Sequence, residues 1–210
     1  DQPRSRGLGD VYKRQLLFCA NILFFYSISV ISLAKALTLA FIAPLVVTIL
    51  SPIVLGEKVG FRRWSAVITG FIGSLIVLRP GFVDINIASI AALGTGFLYG
   101  IYLIVTRKLH NADHPLLTLL LTGIVGAIIG SMIIPIVWVQ PSTTEWFMMF
   151  AIGFFASLGH LLLILSLRYA DASKLAPFGY FEIITNIIIG YYFFSHFPDK
   201  WTFLGLFVII

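Results

Sequence analysis

Glu182 is the side chain with the clearest capacity for chemistry, because it lies in the middle of an apolar segment that spans residues 175–194. If that segment crosses a bilayer, an ionised carboxylate near its centre costs at least about 2.5 kcal/mol. Such a group is expected to face a water-filled cavity, to pair with a cation or to stay protonated. Two interpretations follow. Either Glu182 contacts a substrate, or it closes a structural ion pair or hydrogen bond between helices.

Other polar or aromatic side chains also interrupt apolar runs. His160 and Asn21 each stand alone in such a run, and histidine titrates near neutral pH, so His160 could relay a proton inside a cavity. Tyr99, Tyr102 and Tyr180 could line an aromatic path. For all five residues, packing or hydrogen bonding between helices is the alternative interpretation.

A stripe of spaced residues accompanies Glu182. Lys174, Phe178, Glu182 and Asn186 recur every four positions, which places them along one gradually drifting helix face. Pro177 stands near the start of this segment and predicts irregular backbone there. Inside a membrane, irregular backbone is tolerated only against protein or beside a cavity. The stripe is therefore predicted to belong to the substrate pathway.

Two lysines bear on the kind of substrate. Lys35 and Lys174 each precede an apolar helix by one residue, where they could attract an anion or extend to the membrane surface. A buried carboxylate with aromatic neighbours instead suits an amine, an amino acid or a cationic drug. The sequence leaves the substrate class open.

An integral membrane enzyme would need a clustered nucleophile, metal ligands or an acid–base pair. His110, Asp113 and His114 form the one such cluster in the sequence, in a basic loop, but this spacing favours a solvated turn before Pro115. We therefore predict no enzymatic activity, no metal site and no cofactor.

The composition identifies the elements that must position these residues. Hydrophobic residues make up 59% of the 210 positions and charged residues only 11%, whereas soluble domains are about a quarter charged. Most apolar blocks approach the roughly 20 residues that a helix needs to cross a bilayer. The chain is therefore predicted to be an all-α, multi-pass membrane protein. Its apolar blocks cover residues 16–34, 36–55, 64–78, 88–106, 115–139, 146–167, 175–194 and 201–210.

Basic residues between these blocks give an orientation. When alternate loops are assigned to opposite sides, one side carries seven lysines and arginines and the other carries three. Such a bias places the richer side in the cytoplasm. The richer side holds Lys58, Arg62, Arg63, Arg107, Lys108, Arg168 and Lys174, and the other holds Lys35, Arg79 and Lys200.

Glu57 is the acidic member of a charged turn that follows the block 36–55. It precedes Arg62 and Arg63 by five and six positions. We predict a helix-end ion pair between them that holds this turn in one conformation.

An internal repeat appears when the chain is shifted by 139 positions. The shift places Lys35 on Lys174 and Asn21 on His160, with matching apolar blocks around them. The matched helices lie an odd number of spans apart, so the two copies must insert in opposite orientations. Inverted repeats are common in secondary transporters, which alternate between two conformations.

The repeat also gives a domain organisation. Residues 1–15 are unlike the rest and are predicted to be a non-native or disordered tail. Residues 16–80 would hold the last three helices of the first copy. Residues 88–210 would hold the second copy, with its last helix cut short. The complete protein is predicted to have ten helices in an inverted 5+5 arrangement, of which about eight are present.

Two stretches then resemble a known family. "APLVVTILSPIVLGEKVGFRRWSAVITGFIGSLIVLRPG" resembles the end of the first repeat of the EamA family of drug/metabolite transporters, with eleven residues between Pro44 and Gly56-Glu57. "LSLRYADASKLAPFGYFEIITNIIIGYYFFSHFPDKWTFLG" resembles the matching part of the second repeat. That copy usually has Gly-Glu-x-Pro where this chain has residues 195–198, Ser-His-Phe-Pro. A symmetric role for a carboxylate there is therefore not expected.

The resemblance implies a ten-helix carrier of the inner (plasma) membrane. It would move small metabolites by alternating access, often outward, and would be driven by a gradient of protons or other ions. The expected partners are a small-molecule substrate, the lipid bilayer and a coupling ion, and nucleic acid is not expected. Glu57, Pro44 and Pro177 would form gating or structural turns. A channel or a membrane-embedded enzyme is the alternative class.

Overall fold

The computed structural model describes residues 3–79, 86–110, 114–194 and 199–210, and within these ranges every regular element is a helix. The ten α-helices in these ranges are α1 (Pro3–Val30), α2 (Leu33–Ala40), α3 (Ala43–Leu50), α4 (Phe61–Leu78), α5 (Ile87–Lys108), α6 (Pro115–Val137), α7 (Thr143–Tyr169), α8 (Ala172–Leu175), α9 (Phe181–Phe194) and α10 (Lys200–Ile209). A π-helical turn (Ser51–Leu55) follows α3, and a 3₁₀ helix (Ala176–Tyr180) joins α8 to α9.

Five segments of the described chain are long and apolar enough to cross a membrane. Large apolar side chains cover their outward surfaces; Phe150 on α7, for example, is 74% exposed. Such an apolar exterior matches a lipid environment and confirms the prediction of an all-α, multi-pass membrane protein. The five segments are Leu33–Leu55, Phe61–Leu78, Ile87–Lys108, Pro115–Met132 and Thr143–Tyr169.

The block 36–55, predicted as one helix, is divided into α2, α3 and the π-helical turn, so that prediction was wrong in detail. Two prolines give the physical reason. Pro44 has no N–H to donate to the carbonyl of Ala40, and the helix is interrupted at residues 41–42. Pro52 likewise has no N–H to donate to the carbonyl of Thr48, and a wider π-turn replaces the α-helix there.

Helix α5 is the central element of the described fold, with α1 antiparallel to it. The Ser27 hydroxyl on α1 donates to the carbonyl of Ala88 at 2.9 Å, near the start of α5. Further along the same pair of helices, Thr95 Oγ1 lies 3.3 Å from the carbonyl of Ala20. These hydrogen bonds satisfy buried hydroxyls and fix the register of the two helices.

Helices α2 and α3 run parallel to α5 and approach it at two glycines. A Cβ on Gly96 would lie 2.4 Å from the carbonyl oxygen of Ala40, and one on Gly100 would lie 2.8 Å from Val46. Only glycine allows these helices to lie so close. Gly126 and Gly130 on α6 have the same spacing, but nothing lies within 4 Å of a Cβ there. Spacing alone therefore does not identify a packing interface.

Helices α4 and α10 form a second close antiparallel pair. A Cβ on Gly205 would lie 2.9 Å from the carbonyl oxygen of Gly73. At the end of this pair, Arg79 Nη2 lies 2.8 Å from Asp199 Oδ1.

Helices matched by the 139-residue shift run in opposite directions. Helix α1 is antiparallel to α5, because Ser27 meets Ala88 and Ala20 meets Thr95, and α7 is parallel to α5, because Tyr102 meets His160 and Arg107 meets Leu167. The segment 33–55 opposes the segment 172–194 in the same way, and α4 opposes α10. The prediction of an inverted repeat requires this arrangement. The full 5+5 organisation stays a prediction.

The interruptions of the matched segments coincide as well. Ser32 is the N-cap of α2, and its repeat partner Asp171 is the N-cap of α8. Phe41 lies at the break in the first segment, and its partner Tyr180 ends the 3₁₀ helix of the second. These two rings contact each other at a centroid distance of 5.8 Å. A pseudo-twofold axis that relates the copies would pass beside this contact.

The domain boundaries stay predictions. Residues 3–15 form the first part of α1, continuous with the apolar helix that follows.

Candidate functional site

A cavity of about 520 Å³ lies between helices of the first copy of the repeat (α1, α2 and α3) and helices of the second copy (α5 and α7 to α9), which we call the two halves of the chain. Binding sites for small organic molecules commonly enclose about 300–1,000 Å³. Its wall is mostly apolar and aromatic, with polar groups at a few positions. The lining residues are Asn21, Phe24, Leu37, Ala40, Phe41, Ala43, Pro44, Val47, Thr95, Tyr99, Leu103, Leu163, Ser166, Leu167, Ala172, Leu175, Ala176, Phe178, Gly179 and Glu182.

The broken helices build much of this wall. Around the interruption of the first segment, Ala40, Phe41, Ala43 and Pro44 all line the cavity. Gly179 in the 3₁₀ helix of the second segment would bring a Cβ to within 3.5 Å of the Pro44 ring. Irregular backbone thus lies beside a cavity, as expected inside a membrane.

Five polar side chains line the cavity, and two of them are engaged with backbone. Thr95 Oγ1 donates to the carbonyls of α1 and α5, and the Ser166 hydroxyl donates to the carbonyl of Leu163 at 2.8 Å. In the described part of the chain, the Glu182 carboxylate and the Asn21 amide have no hydrogen-bond or ion-pair partner. These two groups, with the Tyr99 hydroxyl, are available to a ligand.

A second, more open cavity of about 1,000 Å³ lies between α1, α6 and α7 and shares Asn21 and Tyr99 with the first. His160 is in its wall, and its Nε2 lies 2.8 Å from the hydroxyl of Tyr102. The two rings stack at a centroid distance of 5.6 Å, and Tyr102 in turn stacks on Tyr99. The stacked rings of Tyr102 and Tyr99 therefore connect His160 to the wall of the first cavity.

The structure does not bring the remaining predicted pathway residues into the first cavity. Tyr180 is fully buried behind it, and its hydroxyl donates to the carbonyl of Phe41 at 3.2 Å. Pro177, predicted as part of a gating or structural turn, lies in the 3₁₀ helix and lines a smaller cavity beside α4 and α10. Asn186 is exposed on α9, about one helical turn beyond Glu182, and does not line the first cavity.

Glu57 lies at the end of the molecule that carries Arg63, Arg107 and Lys174, which we call the basic end. Its side chain is only 7% exposed. Its Oε1 accepts from the backbone N–H of Ala172 at 2.8 Å, and its Oε2 accepts from the N–H and the hydroxyl of Ser173 at 2.9 and 2.6 Å. Glu57 thus joins the end of the first segment to the start of the second.

The predicted pairing of Glu57 with Arg62 and Arg63 was wrong. Gly56 adopts a left-handed conformation (φ 68°) at the end of the π-turn, and the next residue, Glu57, lies against α8 instead. The basic partner of Glu57 is Arg107, whose Nε lies 3.7 Å from Oε1.

Asp171 is a second carboxylate at the basic end. Its Oδ2 lies 3.2 Å from Arg63 Nη2 and 2.9 Å from Lys174 Nζ, and its Oδ1 lies 3.6 Å from Arg107 Nη2. The Lys174 ammonium, followed by the more distant guanidinium groups, holds the pKa of Asp171 below its ordinary value. Since Arg63 also donates to the Ser173 hydroxyl at 2.6 Å, these residues form one network.

We call this network the basic-end cluster. It consists of Glu57, Arg63, Arg107, Asp171, Ser173 and Lys174. The sequence indicated Glu57 and Lys174 but missed the roles of Arg107, Asp171 and Ser173. One signal was present. Asp171 is the repeat partner of the helix cap Ser32, which indicated that a helix starts beside it.

The two predicted substrate-attracting lysines lie outside the first cavity. Lys174 is bound to Asp171 in the basic-end cluster. Lys35 lies in the first turn of α2, near the N-cap Ser32. The residues that line the cavity include no lysine, arginine or histidine among those the structure describes.

The candidate enzyme cluster lies in a turn at the basic end. His110 Nδ1 lies 2.7 Å from the carbonyl of Arg107, and His114 is the N-cap of α6. Asp113 lies outside the described residues, as do the residues 195–198 that depart from the family pattern. Within the described ranges, no group of three or more histidine, cysteine, aspartate or glutamate side chains could hold a metal ion.

Apolar helices in opposed orientations beside a cavity are the arrangement found in many membrane transporters. The sequence model of the EamA-like transporter family matches residues 16–79 and 86–210. The chain therefore belongs to that family, and the resemblance in its motifs is confirmed.

Similar proteins are named as transporters of small metabolites. The S-adenosylmethionine uptake transporter of Rickettsia prowazekii is 28% identical over 98% of this chain and 70% of its own length. The riboflavin transporter of Vibrio cholerae is 29% identical over 84% of this chain and 59% of its own length. The pseudopaline exporter CntI of Pseudomonas aeruginosa is 26% identical over 90% of this chain and 67% of its own length.

A solved crystal structure shows the same fold. It superposes on the chain with a TM-score of 0.84 at 16% sequence identity, and the match covers all of this chain and 76% of that one.

Proposed function

We propose that this protein is a secondary carrier of the inner (plasma) membrane that moves a small organic metabolite, such as an amine, an amino acid or a related compound, by alternating access. The observation that carries the proposal is the cavity between the two oppositely oriented halves. Asn21 and Pro44 contribute to it from one half and Glu182 from the other. A site at the interface of inverted repeats can face either side when the halves exchange conformations.

Similar proteins support a metabolite carrier but differ in cargo and direction. Their names specify S-adenosylmethionine uptake, riboflavin transport and pseudopaline export. For this chain we propose export, as the family resemblance implies, with a proton or another ion as the coupling species. His160 and Glu182 are the histidine and the carboxylate at the two cavities, and we propose them as the groups that would take up a coupling proton.

The basic-end cluster is proposed to be the gate on the cytoplasmic side. Its hydrogen bonds run from Glu57, at the end of the first segment, to Ala172 and Ser173, at the start of the second. If the two segments separate, these bonds must break. The cluster therefore stabilises the conformation that is closed at the basic end, and its loss would shift the equilibrium toward the other.

Solute counterflow tests the proposal directly. The purified protein is reconstituted into liposomes loaded with unlabelled compound, and uptake of the labelled compound is followed for a panel of amines, amino acids and nucleoside-like metabolites. A carrier gives transient accumulation that saturates with concentration, whereas a channel gives only equilibration. Protein-free liposomes and liposomes loaded with an unrelated solute are the controls. Transport that never saturates would contradict the carrier mechanism.

A further inference from the structure

We infer that the substrate carries a positively charged group, which is held by Glu182 in the 520 Å³ cavity next to aromatic side chains. This inference rests on the proposed transport function and specifies its substrate class. Its basis is the balance of charge in the cavity wall, where Glu182 is the one acidic side chain among the described residues.

The charge of Glu182 is not compensated by the protein in the part of the chain that the structure describes. The cavity wall has no basic residue there, and the carboxylate accepts no hydrogen bond. Glu182 is an exposed residue in the cavity wall on an apolar helix, and within a membrane a carboxylate is costly unless a cation or a proton neutralises it. A cationic substrate would supply the missing charge, so its binding is favoured at this position.

The basic residues of the basic-end cluster cannot supply this positive charge to Glu182 without breaking their other contacts. Lys174 lies 2.9 Å from Asp171, and Arg107 donates to the carbonyls of Leu167 and Arg168 as well as pairing with Glu57. The basic-end cluster holds three basic and two acidic side chains, and each of the three basic side chains pairs with an acidic one inside the cluster. Glu182 is left as the charged group of the cavity.

The rest of the wall indicates what the cation is attached to. Phe24, Phe41, Phe178 and Tyr99 surround the cavity, and aromatic faces attract cations as well as apolar groups. The Asn21 amide offers a further donor and acceptor. The site therefore fits an ammonium or similar cation attached to a compact apolar or aromatic body. Of the candidate classes named for the carrier, the site therefore selects the amine, because the carboxylate of an amino acid, like any anion, would meet no cationic partner among the described residues of the wall.

Equilibrium dialysis of the protein in lipid nanodiscs tests this assignment with two probes of similar size and opposite charge. Benzyltrimethylammonium is the cation and benzylsulfonate is the anion, and phenylalanine serves as a zwitterionic competitor. We expect saturable binding of benzyltrimethylammonium that neither benzylsulfonate nor phenylalanine displaces at equal concentration. Saturable binding of benzylsulfonate, or no saturable binding of the cation, would overturn the inference.

Three variants connect this binding to the carboxylate. Glu182→Gln keeps the size of the side chain and is expected to weaken binding of the cation at least about tenfold, since it removes the charge that the cation would meet. Glu182→Asp keeps the charge and should restore part of the affinity. Asp199→Asn removes an acidic charge at the start of α10, outside the cavity, and it should leave binding unchanged. Equal binding by wild type and Glu182→Gln would overturn the inference.

The counterflow assay separates this inference from the function on which it rests. If a neutral or anionic compound of the panel undergoes saturable counterflow that Glu182→Gln does not affect, the carrier function stands and the cationic assignment fails. If the cation binds at Glu182 but no compound shows counterflow, the binding site stands and the transport function fails.

Discussion

Two carboxylates of the same fold, Glu57 and Glu182, have opposite environments. Glu57 is enclosed by two backbone N–H groups, a hydroxyl and an arginine, so its charge is stabilised by the protein. Glu182 lines a cavity without such partners in the described chain. The first carboxylate is therefore suited to hold two segments together, and the second is suited to bind something that enters.

Replacement of Glu57 by glutamine is expected to change transport more than folding. Glu57→Gln keeps the size of the side chain but removes its charge and one acceptor oxygen. Hydrogen bonds to charged groups contribute about 1.5–3 kcal/mol, so the balance between the two conformations should shift about tenfold or more. Counterflow rate and the amount of folded protein in the membrane are measured side by side.

Ser173→Ala is the matched control for this substitution. It removes one donor to Glu57 and one acceptor for Arg63 but leaves both charges in place. Its effect on rate should be smaller and of the same sign. If Glu57→Gln lowers transport and protein level by the same factor, Glu57 has only a structural role.

The pair Arg79–Asp199 allows a pH prediction at the opposite end. The N–H of Thr202, and then Arg79, lower the pKa of Asp199 to about 2, below the value of about 3.9 in an unfolded chain. The charged form therefore stabilises the fold above about pH 4, and this contribution is lost as the pH falls through about 2. Both side chains are about half exposed, so salt weakens the effect.

Asp199→Asn isolates that contribution, since asparagine also caps helices well but carries no charge. We expect wild type to have the higher melting temperature near neutral pH and the difference to shrink between about pH 4 and pH 2. Melting of both proteins in detergent at several pH values measures it. A difference that stays constant over this range would contradict the assignment.

Among the helices, glycine contacts decide which elements lie together. Gly96→Ala would place a methyl group 2.4 Å from the backbone carbonyl of Ala40, so α2 and α5 must separate. We expect a loss of about 1–3 kcal/mol in the free energy of unfolding. Gly126→Ala meets nothing within 4 Å and should be neutral or slightly stabilising, because alanine favours helix over glycine.

Thermal melting of the purified variants in detergent compares the two substitutions. Equal destabilisation by Gly96→Ala and Gly126→Ala would show that α6 packs as closely as α5 in the assembled protein. Equal stability of both with wild type would contradict the close approach of α2 to α5.

The sequence predicted the elements better than their interruptions. Long apolar blocks specify membrane helices because a bilayer requires about 20 such residues, and α5, α6 and α7 follow their blocks closely. Pro44 and Pro52 were visible, but whether a proline kinks or divides a helix depends on its neighbours. The register of Phe41 against Tyr180 is a tertiary contact that no local pattern specifies.

Of the candidate site, the sequence could predict single residues but not their grouping. Glu182, Asn21, Tyr99 and Pro44 were recognisable as polar or special residues in apolar runs, and one cavity contains all four. Asn186 follows Glu182 by about one turn of the same helix but lies outside the cavity wall, and residue spacing does not reveal where a cavity ends. The backbone partners of Glu57 lie 115 and 116 residues away in the chain, and sequence spacing carries no information about such contacts.

For the molecule as a whole, we propose that one cavity faces the two sides of the membrane in turn and that the basic-end cluster closes the cytoplasmic side. The opposed directions of the matched segments and the contact of Phe41 with its repeat partner Tyr180 support such an exchange. In a carrier of this kind, the cavity must close to one side of the membrane when it opens to the other.

The most direct measurement is the labelling of a cysteine in the cavity from each side of the membrane. Ser166→Cys places a thiol in the cavity wall, and Cys19→Ser removes the single native cysteine. A membrane-impermeant thiol reagent is applied to right-side-out and inside-out vesicles, with and without Glu57→Gln. Alternating access with a gate at the basic end predicts that Glu57→Gln raises the labelling rate from the cytoplasmic side and lowers it from the other. Rates that rise together on both sides, or that do not change on either, would contradict this mechanism.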